Sequence, residues 1–140
     1  LTTDVIVGFP GETDKEFEQT WEAVKQIGFS KIHTFPFSPR RGTPAAEMKE
    51  QIPRAIKRQR SAELRILEEE MRQQYFSSLL GRELNVLVES AVEGRIQGTA
   101  GRYVPVESTG SESQLGQLVP LTAESLAGDR LMATGHRQPR

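Results

Sequence analysis

The sequence predicts a mixed α/β protein in which a parallel strand-helix-strand segment and a long helix precede a small all-β barrel. Three observations carry this reading. Two short β-branched runs flank an amphipathic helical pattern in the first third, a long charged helical pattern fills the middle, and after Gly81 the apolar period changes from helical to alternating. A length of 140 residues suits one ordinary domain or two small ones.

Thr2 to Gly8 is apolar and β-branched, without polar alternation in its second half, and reads as a buried parallel strand. Phe9-Pro10-Gly11 breaks it. Thr13 and Glu16 then form a Thr-x-x-Glu capping box that starts a helix. Phe17, Trp21, Val24 and Ile27 fall on one face of that helix, with Trp21 in the core, and Gly28 supplies a left-handed cap. Ile32 to Phe37 is the second strand. The three elements make a βαβ unit with a right-handed crossover and a parallel sheet.

A Pro/Gly-rich loop, Ser38 to Pro44, follows where such units hold ligands, beyond the carboxyl ends of the strands. Pro53 opens a long helix. Its stripe comprises Ile56, Glu63, Leu64, Leu67, Met71, Tyr75 and Leu79, and it stops at Gly81. Beyond it, Leu84, Val86 and Val88 alternate with Glu83, Asn85 and Leu87. Glycines 94, 98 and 101 punctuate a second short strand, and Tyr103, Val104 and Val106 belong to a third. Ser/Gly-rich residues from Thr109 to Gln114 form a loop, and Leu118 to Thr122 and Arg130 to Thr134 complete about five strands. Closure into a barrel removes exposed edges from a domain with so little core. The tail His136 to Arg140 reads as frayed.

Composition narrows the chemistry. Apolar residues make up 36% and charged residues 26%, which suits a packed core rather than wholesale disorder. No run is long enough to span a membrane and the first residues lack a basic flank, so the expected location is cytoplasmic. Cysteine is absent, which removes disulfides, a cysteine nucleophile and thiolate-held zinc or iron-sulfur clusters from these residues. The net charge of -1 gives no global attraction to nucleic acid. Locally, however, Arg54, Lys57, Arg58, Arg60 and Arg65 stand against the single acid Glu63, with Arg40 and Arg41 upstream. That cluster is either a solvated helix face or a phosphate-binding patch. The barrel half is not basic, since six arginines from Arg82 to Arg140 face seven acids.

Individual residues leave alternatives open. Gly8 and Gly11 let the backbone approach a ligand, and the turn they frame opens a helix whose free amides suit an anion. Glu12 is either a first-turn carboxylate matched to the helix dipole or part of that site. His33 lies between apolar strand positions and reads as a core or helix-facing histidine rather than a base. Tyr103 reads as a half-buried wall residue or as an exposed stacking surface.

Taken whole, Asp4 to Thr13 resembles the fifth-strand motif of radical-SAM enzymes. Thr2 to Thr13 together with His33-Thr-Phe-Pro-Phe-Ser-Pro-Arg-Arg-Gly-Thr-Pro-Ala-Ala46 is similar to the tRNA methylthiotransferases. Phe29 to Ala46 most resembles the MtaB-like subgroup acting on threonylcarbamoyladenosine, and the MiaB group acting on isopentenyladenosine carries a close variant. From about Gln74 the chain resembles a TRAM domain, an OB-like barrel that grips RNA. The resemblance implies that residues 1-72 are the C-terminal part of a radical-SAM (β/α) partial barrel and residues 74-140 a TRAM domain.

It further implies S-adenosyl-L-methionine and two 4Fe-4S clusters as cofactors and tRNA as partner, with the sulfur and electron donors unnamed. In such enzymes a 5'-deoxyadenosyl radical takes a hydrogen from the adenine ring and sulfur from the second cluster replaces it. The cluster cysteines would lie upstream, so the expectation is a fragment without metal ligands or catalytic residues, inactive alone. Carried over, Val5, Ile6, Val7, Gly8, Phe9, Pro10, Gly11 and Glu12 would meet the cofactor, with Phe35 and Phe37 near its adenine. Arg40, Arg41, Arg54, Lys57, Arg58, Arg60, Arg102 and Tyr103 would contact RNA.

Overall fold

The computed structural model describes residues 1–135, and the tail from His136, expected to fray, lies outside the described residues. The chain divides into two compact units, Leu1–Gln73 and Gln74–Arg140, with the division falling inside the longest helix.

In the first unit, β1 (Thr2–Val7) pairs in parallel with β2 (Lys31–Pro36), and α1 (Asp14–Ile27) connects them. The local signals act as read. Thr13 accepts the Glu16 amide while Glu16 accepts the Thr13 amide, which holds the Glu16 carboxyl below its ordinary value, chiefly through that backbone bond. Gly28 ends α1 in the left-handed region at φ 71°. The loop before the long helix contains a short α2 (Pro44–Glu47), which the Pro/Gly-rich pattern does not announce. The long helix, α3, spans Arg54–Ser78.

The core of this unit joins Val7, Phe17, Val24, Ile32, Leu64 and Leu67. β1 and β2 meet α1 and α3 with one face only, and this corrects the expectation of a fully buried strand. Val5 and Val7 point toward the helices, whereas Ile6 and Phe35, register partners, are 58% and 50% exposed on the other face. Trp21 is also corrected: it packs at the margin of the core, half-buried, with Lys25 Nζ 4.8 Å from its ring centre. Glu68 of α3 accepts the Ile32 amide at 3.2 Å, tying the helix to β2.

In the second unit, β3 (Glu83–Val92), β4 (Arg95–Ala100), β5 (Val104–Thr109), β7 (Arg130–Gly135) and β6 (Leu118–Ala127) lie in that order and close into a barrel. Neighbours are antiparallel except β5 and β7, which are parallel, and the β3–β6 pairing completes the closure. Alternation puts Val86, Val88, Ile96, Val104, Val106, Leu121 and Leu131 inside, where Phe76 from the last turn of α3 and Leu79 just beyond it join them. β3 bulges between Val88 and Ser90, opposite Gly98. There Gly98 is obligatory, because a Cβ would stand 2.0 Å from the Leu87 carbonyl oxygen. On the outer wall Glu107 bridges Arg95 and Arg130. Burial pushes its carboxyl up, but hydrogen bonds from Arg95 and then Arg130 outweigh this and leave it below the ordinary value.

Candidate cofactor face and nucleic-acid interface

The first unit presents two candidate surfaces, and their differences follow from strand parity. On the open face of the sheet, Ile6 and Phe35 form an exposed apolar pair near the carboxyl ends of the strands. Asp4 and His33 are register partners one step back on that face, both exposed. His33 therefore faces away from the helices, contrary to the sequence reading. The even parity of Asp4 and Ile6 and the odd parity of His33 and Phe35 were the signal that could have found this face.

The turn after β1 is closed upon itself. The Gly8 N–H donates to Glu12 Oε1 at 2.9 Å, and the Gly11 N–H donates to the Glu50 carbonyl at 2.8 Å. Gly8 has φ +71°, and a Cβ there would meet Lys57 Cγ at 2.4 Å, so the close approach its glycine permits is made by Lys57. Lys57 in turn donates to the Phe37 carbonyl at 2.9 Å and covers the Phe37 ring, which meets Phe9 edge-on at 5.2 Å. Pro10 is buried.

Arg60 completes this closure. It is 4% exposed, contacts both the Glu12 carboxylate and its carbonyl, binds Asp14 at 2.7 Å, and lies over the Phe17 ring. Arg60 and Lys57, both expected at RNA, are thus engaged inside the unit. Val7, with no exposed surface, Val5 and Glu12 likewise turn inward, toward the helices or the Arg60 pair. The stripe of Ile56, Arg60, Leu64, Leu67 and Met71 has helical spacing, and that position outweighed residue type. Arg54 and Arg58, by contrast, are exposed on α3, and Arg40 and Arg41 are exposed on the loop.

In the barrel unit the link between β4 and β5 carries the candidate contacts. Arg102 and Tyr103 both have positive φ, 61° and 59°, a conformation that non-glycine residues adopt only under constraint. The turn projects Tyr103 to 87% exposure, which settles its open alternative in favour of a free surface ring. Arg102 is held with its guanidinium 5.6 Å from the Tyr75 ring centre. Of the barrel's arginines, Arg95 and Arg130 are taken by Glu107, so charge on the outer wall is largely neutralised there.

Among the described residues, no group of His, Cys, Asp and Glu could hold a metal ion, and no helix is long and apolar enough to cross a membrane. No family model matches the chain. Curated relatives do. The chain is 37% identical over 124 residues to threonylcarbamoyladenosine tRNA methylthiotransferase MtaB of Bacillus subtilis, covering 85% of this chain and 28% of the relative. It is 41% identical over 122 residues to tRNA-2-methylthio-N(6)-dimethylallyladenosine synthase of Desulfitobacterium hafniense, covering 85% of this chain and 27% of that protein. A third relative, MtaB of Thermotoga maritima, is 37% identical over 134 residues, covering 95% of this chain and 30% of its own length. With most of its own length matched, and under a third of theirs, the chain is homologous to one part of the tRNA methylthiotransferases.

Proposed function

We propose that the chain is the C-terminal part of an enzyme that adds a methylthio group to N6-threonylcarbamoyladenosine beside the anticodon of tRNA. The observation that carries this is 37% identity to MtaB over 85% of the chain. In this reading the α/β unit forms one side of a radical-SAM barrel and the second unit is a TRAM domain. S-adenosylmethionine and two 4Fe-4S clusters, when bound, supply the radical and the sulfur. The clusters do not fit here, because the chain has no cysteine and its thiolate ligands must come from elsewhere in the enzyme. No step is assigned to them.

S-adenosylmethionine fits one surface better than the other. The exposed pair Ile6 and Phe35 offers a flat apolar floor for an adenine ring and keeps water from its face. The Gly8 and Gly11 amides, already bonded internally, are not offered to its carboxylate. The Glu12–Arg60 pair instead fixes the turn that ends β1, and so acts as a positioning element. Arg40, Arg41, Arg54 and Arg58 contact phosphates, while Arg102 and Tyr103 meet an unpaired base.

The test is S-adenosylmethionine binding by the anaerobically reconstituted full-length enzyme. Phe35→Ala is expected to weaken binding roughly 5- to 100-fold, the loss expected for one base-aromatic stack. Unchanged affinity would remove Phe35 from the cofactor face. A second reading, a dimethylallyladenosine-modifying enzyme, is favoured by the 41% identity to the Desulfitobacterium hafniense protein.

A further inference from the structure

One cleft in the barrel unit gathers residues given no binding role above around Arg102, the arginine already assigned to an unpaired base. It holds about 320 Å³ and is lined by Tyr75, Leu79, Leu84, Gly101 and Arg102 together with the polar Glu83 and Asn85. Leu79 and Leu84 make its floor apolar, and Gly101 leaves one wall free of a side chain. The Tyr75 ring and the Arg102 guanidinium, 5.6 Å apart, supply planar groups of the kind against which bases stack. The left-handed backbone at Arg102 and Tyr103 orients the arginine toward this cleft and directs Tyr103 into solvent beside it.

The polar residues restrict what can enter. Glu83 and Asn85 share one face of β3, two residues apart. A carboxylate at physiological pH only accepts hydrogen bonds, whereas a carboxamide both donates and accepts. A phosphate would be met by Arg102 but repelled by Glu83. A base with an exocyclic amino group satisfies Glu83 as donor and Asn85 in either sense. Uracil has no such group, and the carbonyl oxygens flanking its N3–H would approach the carboxylate.

We infer that this cleft is a pocket for a single unpaired nucleobase bearing an exocyclic amino group, with Tyr75 and Arg102 stacking on it and Glu83 selecting against uracil. The inference rests on the reading of the chain as a tRNA-binding part of its enzyme, and it adds a base preference to that reading. Tyr75 reaches the pocket from α3, so the subsite depends on the helix as well as on the barrel.

The experiment measures fluorescence anisotropy of short labelled oligoadenylate, oligocytidylate and oligouridylate with the 140-residue chain at about 50 mM salt, where phosphate contacts are least screened. The expected result is that the adenylate and cytidylate bind at least about 5-fold more tightly than the uridylate, the low end of one stacked and paired base. Tyr75→Leu should weaken adenylate binding roughly 5- to 100-fold. Because Tyr75 also packs against the barrel core, the decisive variant is Glu83→Gln at an exposed position. Glu83→Gln should bring the uridylate to within about 2-fold of the adenylate while overall RNA binding persists. Equal wild-type affinity for all three oligomers, or an intact preference in Glu83→Gln, overturns the pocket and leaves RNA binding standing. Failure of the wild-type chain to bind any oligomer overturns both the pocket and the RNA reading on which it rests.

Discussion

Replacing Arg60 by Met separates the burial account of the α3 cations from a phosphate-binding one. Methionine keeps most of the stem volume over Phe17 but removes the guanidinium from Glu12 and Asp14. The Arg60 and Glu12 side chains are 5% and 14% exposed, so the Glu12 carboxylate would lose its cation within a largely dry turn. Breaking such a pair costs about 3 to 5 kcal/mol. The Gly8 amide still donates to Glu12, which argues for the lower end of that range. Asp14, 97% exposed, contributes little, on the order of 0 to 1 kcal/mol. The expected loss is therefore about 3 kcal/mol for Arg60→Met and within about 0.5 kcal/mol for the exposed neighbour Arg58→Gln. Equilibrium urea unfolding followed by Trp21 fluorescence reads the first unit alone, because Trp21 is the chain's single tryptophan. Restoring stability by adding Glu12→Met, which removes the orphaned charge, would give a positive coupling in the double-mutant cycle. A loss under about 1 kcal/mol accompanied by weaker RNA binding would refute the burial account and return Arg60 to the phosphate-binding patch.

Other outcomes follow from the same geometry. Gly98→Ala should destabilise the barrel by about 3 kcal/mol or more, since the new methyl meets backbone at Leu87 that cannot turn aside, whereas Gly110→Ala meets the ends of side chains and should cost less; thermal melting of the two variants compares them. The Glu107 carboxyl lies below its ordinary value of 4.5, so its contribution to barrel stability is complete above that pH and is lost as pH falls through the depressed value. Acid unfolding followed by circular dichroism should show that loss in the wild type and a flatter profile in Glu107→Gln. Trp21→Ala should cost less than about 3 kcal/mol, below the range for a fully buried tryptophan, because the ring is only partly buried at the margin of the core. In the full-length enzyme, Arg54→Gln with Arg58→Gln should flatten the salt dependence of tRNA binding, measured by filter binding, by roughly 0.7 to 0.9 in log-log slope for each phosphate that is no longer neutralised.

The parts of this fold that were legible in the sequence are those governed by neighbours in the chain. Thr13 and Glu16 lie three apart and cap each other, Gly28 takes the left-handed position that favours glycine, and alternation from Leu84 to Val88 sorts the wall of β3. What was illegible depends on partners distant in sequence. Arg60 is buried because Glu12 and Asp14, 48 and 46 residues away, meet it there; a residue type that ordinarily favours solvent concealed its place on the inner stripe. Ile6 belongs to an apolar run that reads as a buried strand, yet helices cover one face alone and leave Ile6 and its register partner Phe35 exposed. The positive φ of Arg102 and Tyr103 follows from the join between β4 and β5, and no local propensity of arginine or tyrosine announces it.

The most direct measurement of the proposed activity is the nucleoside composition of total tRNA, by liquid chromatography and mass spectrometry, after deletion of the gene that encodes this chain. The account predicts that the methylthio derivative of N6-threonylcarbamoyladenosine disappears, that its unmodified precursor accumulates in equal amount, and that the intact gene restores it. Loss of the methylthio group from dimethylallyladenosine instead would transfer the chain to the second reading. Retention of both methylthio nucleosides would contradict the proposed function.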